Sequence, residues 1–157
     1  MPSLYAEIEI NAPKQQVWQA LVRKDTWKYW NTYLYDCDPR QPLQPGARVL
    51  LATRRIAGEE DTEFSPLITR VEPGRYLQWV TTIPGLKVVQ AFELQDLGGD
   101  RTYYIQREIF SGFLTRVIFP LIRRDEQEGM RRMTWELKRY VEQGNYQSET
   151  SLSRGQR

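Results

Sequence analysis

Four side chains stand where their types and spacing could do acid–base or anchoring work. Tyr104, Arg107 and Glu108 lie in one alternating run, and Glu126 interrupts an apolar stripe further along the chain. A carboxyl group forced into apolar surroundings must be paired, or must keep its proton through a raised pKa. Glu126 therefore has three open roles: an acid that reaches solvent or an arginine, a ligand anchor, or a general acid or base. If the chain is an enzyme, Glu108, Glu126, Tyr104 and Arg107 are its catalytic candidates, with a desolvated carboxylate as base and Tyr or Arg donors on a developing enolate.

The residue types that are missing narrow the chemistry further. There is no histidine, which removes imidazole bases, Ser-His-Asp and Cys-His nucleophile systems, and His-based zinc sites. The only cysteine is Cys37, flanked by Asp36 and Asp38, which disfavour a thiolate. No disulfide, no metal site and no cofactor is expected.

Length and composition fit one domain. The chain has 157 residues, 40% of them hydrophobic and 27% charged, and a formal net charge of +2. A charge this small does not by itself argue for a nucleic-acid partner, and none is expected. The run Arg123–Arg132 interleaves acids with bases, Glu128 standing favourably before Arg131 and Arg132, and reads as a solvated helix face. No stretch approaches the roughly 20 apolar residues of a spanning helix. The first ten residues lack a basic segment followed by an apolar one, so a reduced, cytoplasmic setting is expected. The oligomeric state is not legible.

The elements that must position the candidates follow from periodicity. Leu4, Ala6, Ile8 and Ile10 alternate with polar residues as a strand with one buried face. Pro13 opens a helix whose Val17, Trp18 and Leu21 share a face, and a second short helix runs through Trp27 to Trp30. Five β-rich runs follow (48–54, 63–71, 76–83, 87–95 and 102–110), separated by turn signals such as Pro73-Gly74 and Pro84-Gly85. Pro66 makes its strand an edge or a bulge. Then the period changes: Phe119, Ile122, Glu126, Met130, Met133, Leu137 and Val141 form one helical stripe. Pro120 either begins the regular helix or lies inside a longer one starting near Phe113. The expected organisation is a single domain over 1–143 and a disordered polar tail over 144–157.

Only the long helix is large enough to cover the apolar face of such a sheet, and a curved sheet around a helix can leave a cavity between them. If Leu77, Trp79, Phe92 and Leu94 mark the inward register, Trp30, Trp79, Phe92, Tyr104, Phe110, Phe113 and Phe119 lie near that cavity, either as core or as the lining of an apolar pocket, and Met130 and Met133 on the helix stripe suit both. Strand 102–110 has two possible inward sets: Tyr104, Gln106, Glu108 and Phe110, or Tyr103, Ile105, Arg107 and Ile109. The Phe113–Pro120 segment is either a movable portal or a cover on the sheet edge.

Several short strings, in this order, carry a family resemblance: Ile10-Asn11-Ala12-Pro13 before Val17-Trp18-Gln19-Ala20-Leu21; Trp27-Lys28-Tyr29-Trp30-Asn31; Pro73-Gly74-Arg75-Tyr76-Leu77-Gln78-Trp79; Phe92-Glu93-Leu94; Glu108-Ile109-Phe110-Ser111-Gly112; and Leu137-Lys138-Arg139-Tyr140-Val141-Glu142. Together they resemble the SRPBCC, or START-like, superfamily, including its polyketide cyclase/dehydratase-like branch. The resemblance implies an α+β helix-grip fold: six to seven antiparallel strands wrapped around a long C-terminal helix, with two short helices after the first strand. It favours the inward set containing Glu108. It also implies a small apolar or aromatic molecule or lipid as partner, bound by a carrier or sensor through Trp30, Trp79, Phe92, Tyr104, Glu108, Phe110, Phe119, Glu126 and Met130. The alternative on the same scaffold is a cyclase-, dehydratase- or isomerase-like enzyme.

Overall fold

In the computed structural model, residues 1–56 and 58–155 are described, with side chains as far as Gly144. In chain order the elements are β1 (Ser3–Ile10), α1 (Lys14–Val22), a 3₁₀ helix (Lys24–Tyr29), β2 (Leu34–Asp36), β3 (Leu51–Thr53), β4 (Thr62–Phe64), β5 (Leu67–Glu72), β6 (Tyr76–Ile83), β7 (Leu86–Gly98), β8 (Arg101–Ser111) and α2 (Thr115–Gly155). The fold is α+β, as the element order implies. Five strands form a curved antiparallel sheet in the order β1-β8-β7-β6-β5, and β2-β3-β4 form a second, smaller one.

The strand count departs from the expected six to seven in one sheet. The 63–71 run divides into β4 and β5, because Pro66 has no N–H to offer a continuous ladder. A single bridge, Arg48 to Leu67, links the two sheets there. β2 falls in a stretch with no alternation long enough to read. Pro120 lies inside α2, so the helix begins before it. The expected tail from residue 144 coincides with backbone that continues as helix to Gly155, while side chains beyond Gly144 lie outside the described residues. No described helix is long and apolar enough to cross a membrane.

Register puts the site residues in rows. Ile68, Trp79, Gln90, Glu108 and Leu4 are successive cross-strand partners from β5 to β1, so their side chains share one face. The next row holds Leu77, Phe92, Gln106 and Ala6, and the one after it Leu94, Tyr104 and Ile8. Met130, Met133, Leu137 and Val141 of α2 join these rows in one core cluster. Glu126 is buried on the same stripe, while Phe119 and Ile122 are half-buried. Full burial of a side chain such as Phe92 contributes about 1.5–3 kcal/mol, so the rows and the stripe hold α2 against the sheet.

Candidate active or binding site

Two carboxyl groups meet inside this core. Glu108 comes from the centre of β8, and Glu126 from the interruption in the α2 stripe; both are buried. The Glu126 carboxylate accepts hydrogen bonds from the Tyr33 hydroxyl and from the Arg55 guanidinium. Glu126 thus proves to be the arginine-paired acid, with a buried phenol as a further partner.

Glu108 has no such cation to itself. Its Oε2 meets no hydrogen-bond donor, and the group it contacts is the Glu126 carboxylate. Two carboxyls in contact cannot both carry full charge, so one proton is shared between them. Burial first, then the charge of Glu126 and the hydrogen bond to it, pushes the Glu108 carboxyl well above the usual carboxylate range, while Arg55 draws it back only in part. That direction favours the protonated form of Glu108. Burial, followed by Glu108 and Glu126, likewise raises the Tyr33 phenol well above its ordinary value and keeps it a neutral donor. Burial opposes the charge of Arg55, but Glu126 outweighs it and holds the guanidinium protonated.

Loops bring in two of the four groups, and α2 anchors both loops. Asn31 Oδ1 accepts the backbone N–H groups of Tyr33 (3.0 Å) and Leu34 (2.9 Å), fixing the turn from which Tyr33 points inward. Arg54 N–H donates to the Tyr33 carbonyl at 2.8 Å, so the Arg55 segment is tied to the same strand end. Arg132 then donates to the carbonyls of Thr32, Arg54 and Arg55, and Glu136 accepts from the Thr32 backbone and hydroxyl. Arg132 is therefore not part of a solvated charge ladder; among the described residues Glu128 is paired with Arg124, at 3.8 Å. Gly129 completes the seat. A Cβ there would lie 2.7 Å from two atoms of the Tyr33 ring, so only glycine lets the ring lie against the helix.

The other candidates divide. Tyr104, Gln106, Glu108 and Phe110 are all buried and face inward, which selects the first of the two sets on β8. Tyr104 donates to Gln106 Oε1 at 2.9 Å; that bond orients the amide, whose Nε2 meets no acceptor. Trp79 donates to Gln90 Oε1 and packs on Phe92 with ring centroids 4.8 Å apart. Phe119 meets Phe110 edge to face at 5.2 Å. Met130 is fully buried. Two candidates stand elsewhere. Arg107 lies on the outer face of β8, exposed and bonded to Glu93 at 3.0 Å, because adjacent strand residues point to opposite faces. Trp30 stacks on Tyr140 at 6.1 Å, towards the far end of α2.

The space itself is fuller than the elements alone suggested. Trp79, Phe92, Tyr104 and Met130 have none of their surface exposed, so the expected cavity lined by Trp79 and Phe92 is closed by side chains here. The aromatic rings that were to line a pocket are large enough to fill it. In the inward row Leu4, on β1, is half-buried, while Glu108 and its cross-strand partner Gln90 keep 4% and 6% of their surface. A separate, open cleft of ≈ 910 Å³ lies outside the sheet–helix interior, between α1 and the later part of α2, with Gln16, Gln19, Arg23, Tyr140 and Gln143 on its walls. Cys37 is exposed, and burial of its sulfur, then Glu63, Asp36 and Asp61, raises its pKa, so its thiol is a poor nucleophile.

Sequence reasoning found Glu108 and Glu126 but missed Tyr33 and Arg55. One signal was present: a lone glycine, Gly129, in an otherwise unbroken helical stripe marks a close approach one turn after Glu126.

No protein-family model and no curated protein matches the chain. Solved structures do. The chain is similar to protein NE0264 from Nitrosomonas europaea (18% identity, TM-score 0.67, covering 92% of this chain and 96% of that one). It is similar to a START superfamily protein from Mycobacterium smegmatis (17% identity, TM-score 0.68, covering 90% and 97%). It is also similar to DynU16, a putative protein in the dynemicin biosynthetic locus (19% identity, TM-score 0.65), where it covers 90% of this chain but 48% of that one. The fold is thus START-like, in agreement with the resemblance carried by the sequence strings.

Proposed function

We propose that the chain binds a small, mainly apolar or aromatic molecule or lipid between the sheet and α2, as a carrier or sensor. The observation that carries this reading is the buried Glu108–Glu126 pair in the middle of an apolar face. Burying two acids is costly, and a core with no task beyond packing is served better by apolar residues. The ligand's polar end would meet the Glu108–Gln90 row, and its apolar body would displace the contacts around Trp79, Phe92 and Phe110. The lone exposed thiol suits a reduced, cytoplasmic setting.

A second reading has its own support. Glu108, held above the usual carboxylate range beside a Glu126 that Tyr33 and Arg55 hold in place, could give up and take back a proton, so cyclase-, dehydratase- or isomerase-like chemistry would run through Glu108 and Glu126, with Tyr104 as a donor. Arg107 has no part in it, since it faces outward.

Native mass spectrometry of the purified protein tests the binding reading. A co-purified apolar species, or a rise in melting temperature with naphthalene-class or long-chain ligands, is expected. Failure of both removes it. Glu108→Gln and Glu126→Gln then separate the classes. In a carrier they alter affinity for polar-headed ligands and spare purely apolar ones. Loss of turnover with binding intact would instead establish the enzyme.

A further inference from the structure

The junction of β8 and α2 carries an apolar face that the fold leaves uncovered. Phe113, Val117 and Leu121 recur every fourth residue and are 77%, 62% and 75% exposed. Ile83, at the tip of the β6–β7 hairpin, is 49% exposed, and that tip touches the same segment: Leu114 N–H donates to the Gly85 carbonyl at 2.9 Å, and a Cβ on Gly85 would meet the Phe113 ring at 2.7 Å. The interior does not need these side chains. Thr115, Ile118, Phe119 and Ile122, on the opposite side of the same turns, supply the contacts towards the core.

The charge around this face is mainly basic. Between Gly112 and Arg124 there are three arginines, Arg116, Arg123 and Arg124, and no acid; Asp125, one turn after Leu121, and Glu128 follow. Lys87 follows the hairpin tip and is exposed. Arg116 and Arg123 have no ion-pair partner among the described residues, and Arg124 has only a 3.8 Å contact with Glu128. At about 100° per residue within α2, Val117 and Leu121 share a face with Arg124 and Glu128, Arg116 and Arg123 lie to one side of it, and Asp125 lies to the other.

We propose that this face docks on an anionic lipid surface, with Phe113, Val117 and Leu121 entering the interface and Arg116, Arg123 and Arg124 at the headgroups. The arrangement is that of an interfacial helix: apolar side chains at the centre, arginines able to lie along them and reach outward, and bases (Arg116, Arg123, Arg124 and Lys87) that outnumber the bordering acids Asp125 and Glu128. A second copy of the chain is a poorer occupant, since a two-fold contact would set the same arginines against one another. Side chains exposed to three-quarters stand clear of the surface; they do not line a groove shaped for a protein segment. This inference is independent of what the interior binds.

The test is co-sedimentation of the full-length protein with vesicles of phosphatidylcholine alone and of an equal mixture with phosphatidylglycerol, at low and high salt. Binding to the mixed vesicles is expected, at least about tenfold weaker on phosphatidylcholine alone and weakened by salt. Phe113→Ser with Leu121→Ser should abolish it, and Arg116→Gln, Arg123→Gln and Arg124→Gln together should weaken it by about a hundredfold. All these positions are exposed, so unchanged melting temperatures show that the variants are folded. Equal binding to both vesicle types, no binding to either, or indifference to the serine pair would overturn the proposal. Concentration-dependent dimers that the serine pair dissolves would overturn it too, assigning the face to a second copy.

Discussion

Replacing Glu108 with glutamine should make the protein more stable at neutral pH, and the gain should grow with pH. Glutamine has nearly the same shape, and its amide can donate to Glu126 as the protonated acid does, but it cannot ionise. In the native protein the Glu108 carboxyl holds its proton well above the usual range, first through burial and then through Glu126. In the unfolded chain it titrates near its ordinary value of about 4.3. The folded state therefore binds more protons than the unfolded state above that value, so stability is greatest below it. Stability falls as pH rises, until the folded pKa is passed. Each pH unit in that window costs the wild type about 1.4 kcal/mol, while the glutamine variant loses nothing from this site.

For a domain of this size that slope corresponds to about 3–6 °C of melting temperature per pH unit. Urea unfolding of both proteins from about pH 5 to about pH 8 measures it. The difference between the curves reports the Glu108–Glu126 pair, because groups away from it cancel; Tyr33 and Tyr104 are held neutral by burial throughout that range. Curves that run parallel across the window, or a variant less stable at every pH, would refute the protonated-acid account and with it the shared proton.

Further outcomes follow from the same geometry. Glu126→Gln strips Arg55 of its counter-ion and should cost about 2 kcal/mol in urea unfolding, less than a fully buried pair because 32% of the Arg55 side chain is exposed. The pH slope should shrink as well, since Glu108 is then free to ionise against Arg55. Gly129→Ala, which in an ordinary helix interior stabilises by about 1 kcal/mol, should here destabilise by about 1–3 kcal/mol through the Tyr33 ring, and a rise in melting temperature would contradict that contact. In hydrogen exchange, residues 113–122 should exchange faster than Met130–Val141 and slow when an apolar ligand binds; equal strong protection in both parts without ligand would exclude a movable portal.

Much of the scaffold was legible because its signals are periodic. The alternation in β1 and β6 and the 3–4 spacing of α2 survive averaging over eight residues or more. The three-residue strands β2, β3 and β4 do not, since so short a span holds barely one repeat. Parity was the limit on β8. Both Glu108 and Arg107 sit on an alternating strand, and only pairing with Leu4 and Gln90 fixes which of them turns inward. Tyr33 and Arg55 were out of reach for a different reason. They meet Glu126 across 93 and 71 residues of chain, from loops whose paths are set by Asn31, Arg132 and Glu136, not by any local pattern. Nor could the sequence show that the sheet–helix space is closed, because that depends on how the Trp79 and Phe92 rings lie.

The closed interior and the uncovered outer face meet at one structural joint. Gly112, with φ at 104°, turns the chain from β8 into α2 where the Gly85 carbonyl comes so close that a Cβ would clash with it. A single bond, Leu114 N–H to Gly85, then ties the helix start to the hairpin tip. Just inside that joint Phe110 and Phe119 pack together, two residues along β8 from Glu108. Loosening the joint would part those two rings and uncover the Glu108–Gln90 row without unpairing any strand of the sheet. The same movement would carry Phe113, Val117 and Leu121, yet those side chains point away from the acids. Serine at 113 and 121 should accordingly remove vesicle binding without changing affinity for a water-soluble aromatic ligand. Glutamine at 108 should do the reverse for a polar-headed one. Loss of both activities in either variant would mean that the two sites are one.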